Sequence, residues 1–185
     1  SSSSFTVGLL NAIYALKSET LSRHSLALEA IRIEQNVIKE HVGSQDQVWA
    51  AYGGLNRINF DLDGSIEVEP LILKEGRREE LLASLCLIFS GSTRLAPVVA
   101  KNKIENLDRC HDQIKEMKDM VDEAVSIFQN KNIPIGEIGK MLHHFWCLKR
   151  ELAVGISTPE IDAIYDAARS AGAIGGKLLG AGGGG

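Results

Sequence analysis

Hydrophobic residues recur at helical spacing along much of this chain and predict several helices. Residues 5–16 are apolar nearly all round, which predicts a helix buried on every side. A second predicted helix begins at a cap, Thr20 or Ser22, and runs to about Lys39, with Glu34 interrupting its apolar stripe. A buried carboxylate is costly unless it is paired or binds a metal. Glu34 is therefore either such a group or a glutamate at the edge of the stripe that reaches solvent or meets an arginine such as Arg32.

Residues 43–54 predict a short apolar helix that small residues open and two glycines close. Asp46 lies in its first turn, where unpaired N–H groups and the positive end of the helix dipole favour a carboxylate. Trp49 and Ala50 share the face of Asp46, so we expect its side chain to point toward packed protein. The alternative interpretation is a helix-capping aspartate.

The periodicity then changes from helix to strand. Residues 55–60 and 66–69 alternate around an aspartate-glycine pair, which predicts a β-hairpin. Residues 70–78 hold a proline, a glycine and a cluster of charges, and they predict a boundary. A short helix over 77–83 and a buried strand over 85–89 should follow.

The second half of the chain predicts three helices and a final strand. The third of these helices opens at residues 157–160, Ser-Thr-Pro-Glu, a capping signature with proline in the first turn. Residues 175–179 predict the strand. His143 and His144 are adjacent, so on a regular helix they point about 100° apart and cannot ligate one metal ion together. We interpret them as core and surface polar residues.

Composition narrows the class of protein. The chain has 185 residues, 44% hydrophobic and 24% charged, which is typical of a globular protein. Its net charge of −4 predicts no nucleic-acid or anionic-membrane surface, and no apolar run is long enough to span a membrane. Three distant cysteines, Cys86, Cys110 and Cys147, predict buried thiols of a cytoplasmic protein and neither a disulfide frame nor a zinc site.

The two ends are unusual. The chain opens on four serines without a methionine and stops in a glycine run, which predicts an internal piece of a longer protein; engineered tails are the alternative. Several small hydroxyl residues at the start of a buried helix also predict an anion site, because free N–H groups and the helix dipole converge there.

These pieces in this order resemble the GHMP small-molecule kinases. The four serines look like the tail of the family's second motif, and residues 179–185 look like its third. Glu34 falls where the family has its magnesium-binding glutamate, and Asp46 lies in a stretch like the one that carries the catalytic aspartate. Residues 42–60 and 90–94 look most like the bacterial D-glycero-D-manno-heptose 7-phosphate kinases. The first family motif is absent.

The resemblance implies an α+β, helix-rich fold of two domains. Residues 1–75 would be part of a ribosomal protein S5 domain 2-like domain, and residues 76–185 part of a ferredoxin-like domain. It implies a cytoplasmic enzyme that transfers the γ-phosphate of ATP to a sugar phosphate, with small molecules as partners. The oligomeric state stays open, a homodimer included. Alternatives are a galactokinase- or fucokinase-like enzyme, a diphosphomevalonate decarboxylase-like activity, and a non-catalytic regulatory protein of the same fold.

The resemblance also implies a role for each matching residue. Asp46 would be catalytic, and Glu34 would hold Mg²⁺ together with a hydroxyl of Ser1 or Ser2. The residues expected to bind the nucleotide are Ser1, Ser2, Ser3 and Ser4. The residues expected to bind the substrate are Ser92, Thr93, Arg94, Gly180, Gly182 and Gly183.

Overall fold

The structure, a computed structural model, describes residues 2–91 and 109–180, with the backbone alone for residue 2. The chain divides into two compact units, Ser1–Pro70 and Leu71–Gly185, which we call the first and second unit. Each unit is described by itself. The assignment of residues 1–75 and 76–185 to two family domains stays a prediction.

The first unit holds three α-helices and a hairpin. Ser22 caps the second helix, as the sequence predicts, because its hydroxyl accepts a hydrogen bond from Ser25 N at 3.0 Å. That helix does not remain α-helical, but changes after Arg32 into a π-helical turn, Ile33–Val37. The elements are α1 (Ser2–Leu16), α2 (Arg23–Arg32), α3 (Gln45–Tyr52), β1 (Asn56–Phe60) and β2 (Ile66–Pro70).

The three helices enclose a small apolar core. Val7 and Leu10 of α1 pack there with residues of α2. The prediction that α1 is buried on every side is wrong for the described chain, because Phe5, Leu9 and Leu16 are exposed. In the first unit α1 packs against α2 and α3, and these helices cover one side of it.

The hairpin is confirmed. β1 and β2 pair antiparallel, with Ile58 opposite Val68. Gly64 takes a left-handed φ of +86° in the turn, a conformation that glycine adopts without steric cost. The backbone N–H of Ser65 donates to Asp63 Oδ1 at 2.8 Å, which fixes the turn locally.

The second unit is helical in its described part. Thr158 caps the last helix, with Pro159 in the first turn, as predicted; Ile161 N donates to the threonine hydroxyl at 3.4 Å. The core of this unit is built around Trp146 and Ile156, which are both fully buried. The elements are α4 (Arg77–Ser84), α5 (His111–Gln129), α6 (Gly136–Glu151) and α7 (Pro159–Ser170).

Two predicted strands do not form. Residues 85–89 and 175–179 belong to no sheet in the described chain, where β1 and β2 make the one sheet. Leu87 and Phe89 are exposed, which also corrects the prediction of a buried strand. A β-strand is stabilised by hydrogen bonds to a neighbour, so an apolar run without a paired neighbour does not become one.

The cysteines differ from expectation in their burial. Cys110 is buried, but Cys86 and Cys147 are exposed, and all three are free thiols. The prediction of three buried thiols is therefore wrong for two of them. A search of the described residues finds no helix with the length and hydrophobicity of a membrane span.

Candidate functional site

The start of α1, the end of α2 and the start of α3 meet around one carboxylate. Glu34 lies in the π-helical turn and is 1% exposed. This turn is closed by a hydrogen bond from Ile38 N to Ile33 O at 2.8 Å, the spacing that defines a π-helix. Glu34 is thus a buried carboxylate, not a glutamate at the edge that reaches solvent.

Two donors hold the Glu34 carboxylate. Ser3 Oγ donates to Oε2 at 2.9 Å, and Gln47 Nε2 donates to the same oxygen at 2.5 Å. Ser3 is buried in the first turn of α1, and Gln47 is buried in the first turn of α3. The helix start predicted to bind anions therefore contacts the predicted metal ligand through Ser3.

The loop before α3 is tied to the same turn. Gln35 Nε2 donates to the carbonyl of Val42 and to the hydroxyl of Ser44, each at 3.1 Å. Lys39 takes a left-handed φ of +61° where the chain leaves the turn. These contacts fix where α3 begins and bring its first turn to Glu34.

Two oxygens of this cluster have no partner within the described part of the chain. They are Oε1 of Glu34 and Oε1 of Gln47, both buried. Leaving a buried acceptor unsatisfied costs about 1–3 kcal/mol, so such atoms call for a physical explanation. A hard cation such as Mg²⁺ binds oxygens and often takes only one or two protein carboxylates when phosphates complete its shell. The unpartnered oxygens at Glu34 and Gln47 are ligands of the kind that such an ion prefers.

Asp46 is exposed in the structure. Trp49 is 45% exposed and Ala50 is exposed, so the expectation that Asp46 points toward packed protein is wrong for the described chain. The buried face of α3 belongs instead to Gln47 and Val48. Successive residues on a helix point about 100° apart, and the packing of α3 decides which of two neighbours turns inward.

Sequence reasoning missed Gln47 as a separate site residue. A signal was present, because Gln47 shares a face with Ala51 one helical turn later, and Ala51 packs against the core. A glutamine on the inward stripe of a short helix needs polar partners. Glu34 provides one.

A groove of about 400 Å³ opens beside the start of α1. Ser4 and Asn11 of α1 line it together with Arg23 of α2 and Ala50 of α3. Arg23 also donates to the carbonyl of Tyr52 at 3.3 Å. Of the predicted nucleotide-binding residues, Ser4 lies on this groove and Ser3 lies in the Glu34 cluster.

In the second unit, Gly180 is the predicted site residue that the structure describes. It takes a left-handed φ of +70°. Lys149, which is buried on α6, donates to the carbonyls of Leu178 and Gly180 at 2.9 and 2.7 Å. Lys149 was not singled out from the sequence. A signal for its burial was present, because this lysine lies between the apolar positions Leu148 and Leu152. The predicted residues outside the described chain are Ser1, Ser92, Thr93, Arg94, Gly182 and Gly183, and of Ser2 the backbone alone is described.

The adjacent histidines have separate partners. His144 is exposed, as expected of a surface residue, whereas His143 is half-buried and not fully in the core. His143 Nδ1 lies 2.6 Å from the hydroxyl of Tyr165, and His144 Nε2 lies 2.5 Å from a carboxylate oxygen of Glu116. Burial raises the pKa of Tyr165, against a smaller opposing effect of Arg169. Over residues 2–91 and 109–180, no group of three or more histidine, cysteine or acidic side chains could hold a metal ion.

Comparison with protein families shows which family the chain belongs to. Residues 71–185 match the family described as GHMP kinases C terminal, and residues 1–54 match the GHMP kinases N terminal domain. The chain belongs to the GHMP kinase family. The α+β fold predicted from the sequence is therefore confirmed, with a helix-rich chain and a small sheet.

Curated relatives of this GHMP kinase chain are kinases of two kinds. It is 29% identical over 185 residues to the D-glycero-alpha-D-manno-heptose 7-phosphate kinase of Campylobacter jejuni, covering 100% of this chain and 54% of the relative. It is 28% identical over 198 residues to the mevalonate kinase of Pyrococcus abyssi, covering 100% of this chain and 53% of the relative. The chain thus spans about half the length of these relatives.

Solved structures agree on the fold. A D-glycero-D-manno-heptose 1-phosphate kinase from Bacteroides thetaiotaomicron superposes with a TM-score of 0.71 at 26% identity, over 98% of this chain and 50% of that one. The mevalonate kinase of L. major, solved with R-mevalonate, superposes with a TM-score of 0.69 at 21% identity, over 100% of this chain and 54% of that one. The second similarity supports the fold alone.

Proposed function

We propose that this chain carries the metal carboxylate and the catalytic segment of a sugar kinase that transfers the γ-phosphate of ATP to a hydroxyl of a heptose phosphate. The observation that carries the proposal is the buried cluster in which Ser3 and Gln47 hold Glu34 at the start of α1. It joins a helix N-terminus suited to phosphate, a carboxylate suited to a cation, and the segment that bears Asp46.

Each element of the cluster has a role in phosphoryl transfer. Such reactions depend mainly on positioning and on neutralising charge. The free N–H groups at the start of α1 would bind nucleotide phosphates, with the serines around them. Asp46, exposed at the start of α3, would orient the attacking hydroxyl and accept its proton. Gln47, the next residue, connects Asp46 to the carboxylate of Glu34.

Glu34 Oε1 is the atom best suited to Mg²⁺, because Oε2 already accepts two hydrogen bonds. Bound there, Mg²⁺ would neutralise charge on the phosphates. Ser3 and Gln47 keep the carboxylate buried and fixed in orientation. Ser1 or Ser2 would add a hydroxyl, as the family resemblance implies.

A sugar phosphate is the proposed acceptor because heptose phosphate kinases occur among both the curated relatives and the solved structures. Mevalonate kinases match at a similar level, so the acceptor must be tested directly. In the second unit, Gly180 and the glycines after it, with Ser92, Thr93 and Arg94, are proposed to contact the acceptor. Arginine suits its existing phosphate through paired hydrogen bonds.

The test is ADP release by the full-length protein with ATP, Mg²⁺ and one acceptor at a time. D-glycero-D-manno-heptose 7-phosphate, galactose and mevalonate are compared, with Asp46→Asn as the control for background hydrolysis. We expect turnover to depend on the heptose phosphate. Preference for mevalonate or galactose would reject the heptose phosphate as the acceptor but would still support a kinase activity. No acceptor-dependent turnover with any of these three or a wider panel of alcohols would favour a non-catalytic role.

A further inference from the structure

Gln47 is completely buried in the first turn of α3, with 0% of its surface exposed. A buried amide brings an NH₂ group and an oxygen that both need partners. Its Nε2 donates to Glu34 Oε2, whereas its own Oε1 accepts no hydrogen bond from the residues that the structure describes. In this structure the Gln47 amide therefore acts as a hydrogen-bond donor to Glu34.

The carboxylate determines which end of the amide faces it. A carboxylate only accepts hydrogen bonds, so the NH₂ group of Gln47 must point to Glu34. Because Ser3 donates to the same oxygen, Oε2 receives two hydrogen bonds from two different helices, α1 and α3. The carboxylate is thereby locked in one orientation, with Oε1 left over for a further group.

We propose that Gln47 is a positioning residue for the cation site: its amide holds Glu34 in the orientation that reserves Oε1 for Mg²⁺. This inference rests on the proposed function, in which Glu34 binds that ion. Side chains that orient metal ligands typically contribute about 10–100-fold to metal affinity or activity. Gln47 follows Asp46 directly, so the same side chain ties the start of α3 to the cation site.

Replacing Gln47 in the full-length protein tests this role. Gln47→Met removes both the NH₂ group and the oxygen of the amide and leaves the size of the side chain nearly unchanged. Calorimetric titration of MgCl₂ into the ADP-bound protein should then show an Mg²⁺ affinity reduced about 10–100-fold. Turnover should fall at low Mg²⁺ and recover as Mg²⁺ is raised, with the KM for the sugar phosphate unchanged.

Gln45→Met is the matched control, because Gln45 is exposed in the same helical turn. It should bind Mg²⁺ like the wild type. A folded Gln47→Met protein with wild-type Mg²⁺ affinity would overturn the proposal, as would a loss of turnover that added Mg²⁺ does not restore. If Gln47→Met does not fold, Gln47→Asn keeps a buried amide that is too short to reach Glu34, and it must show the same reduced affinity.

Glu34→Gln separates this inference from the function on which it rests. If Glu34→Gln binds Mg²⁺ like the wild type, the proposed metal role of Glu34 fails, and the role of Gln47 with it. If Glu34→Gln loses Mg²⁺ but Gln47→Met retains it, the role of Gln47 alone fails.

Discussion

Buried polar side chains in the two units differ in where their hydrogen bonds go. In the first unit, Glu34 and Gln47 are bonded to each other, and each keeps a buried oxygen without a partner in the described chain. In the second unit, Lys149 and Arg77 are also buried, but Lys149 Nζ and Arg77 Nη2 donate to main-chain carbonyls. The arrangement in the first unit leaves hydrogen-bond acceptors free for a ligand. The arrangement in the second unit provides donors to main-chain carbonyl groups.

Arg77 shows what the second arrangement does. Its Nη2 donates to the carbonyls of Ile127 and Ile133 at 2.6 and 2.7 Å, and its Nη1 donates to Glu80 at 2.7 Å. Ile127 lies in the last turn of α5, where carbonyls lack helical partners and the dipole favours a cation. Arg77 therefore joins α4 to the end of α5.

The unpartnered atoms also differ in kind. Those of the second unit, as far as it is described, are Arg77 Nε and Trp146 Nε1, which are hydrogen-bond donors. Donors do not bind cations, whereas the oxygens of Glu34 and Gln47 can. Burial of a polar group alone therefore does not identify a site; the chemistry of the uncommitted atoms does.

The largest expected effect concerns Asp46 in the first unit. Asp46→Asn keeps the size of the side chain but removes the charge and the base. We expect kcat to fall about 10²–10⁴-fold, which corresponds to roughly 3–5 kcal/mol of barrier. Asp46 is exposed and lies after Ser44, the N-cap position of α3, so the substitution removes only the interaction of its charge with the helix dipole, about 0.3–1 kcal/mol, and Tm should change little. Measuring both in the full-length protein with a heptose 7-phosphate decides the matter: unchanged turnover would show that Asp46 is only a surface carboxylate in the first turn of α3.

Glu34→Gln should have the next largest effect. It keeps an acceptor and the shape of the side chain but removes the charge that attracts Mg²⁺. The affinity for magnesium-nucleotide should fall at least about tenfold, with the effect strongest at low Mg²⁺. Steady-state kinetics over a series of Mg²⁺ concentrations measures this. An unchanged Mg²⁺ dependence would contradict the assignment of the unpartnered oxygens of the first unit to a cation site.

Arg77→Met tests the second unit for a purely structural role. The substitution leaves the carbonyls of Ile127 and Ile133 without their donor. A hydrogen bond to a charged group contributes about 1.5–3 kcal/mol, so losing the two bonds should lower the free energy of unfolding by at least that amount. Urea unfolding measures it, and kcat of the remaining folded protein should match the wild type. A catalytic defect at full stability would contradict the assignment.

A matched pair of caps should give the smallest effect. Ser22→Ala in the first unit and Thr158→Ala in the second each remove one capping hydroxyl. Each loss should cost about 0.5–2 kcal/mol of unfolding free energy, and less for Thr158, whose bond of 3.4 Å is longer than the 3.0 Å bond of Ser22. Turnover should not change in either. A clear loss of turnover in one unit alone would show that helix ends there do more than stabilise.

Features that depend on near neighbours in the chain were predictable from the sequence. The caps at Ser22 and Thr158, the turn at Gly64 and the helical periodicity of α6 and α7 involve residues within about four positions of one another. The buried environment of Glu34 was predictable as one of two alternatives, because its position on the apolar stripe of a helix is a local property.

Features that depend on distant partners were not predictable. Residues 85–89 have the composition of a strand, but pairing requires a neighbour that local sequence does not specify. The rotation of α3 likewise depends on what it packs against, so Asp46 was expected to turn inward and Gln47 turned inward instead. The exposure of Cys86 and Cys147 follows from packing in the same way.

By itself, the sequence determined the helices, the caps of two of them, the hairpin and the family, because these follow from local spacing and from motifs in a set order. Tertiary structure alone decided which atoms surround Glu34. Ser3 and Gln47 lie 31 and 13 residues away from it along the chain, and a hydrogen bond over such a separation forms only when packed helices bring its two ends together. The two oxygens left uncommitted there are a property of that packing.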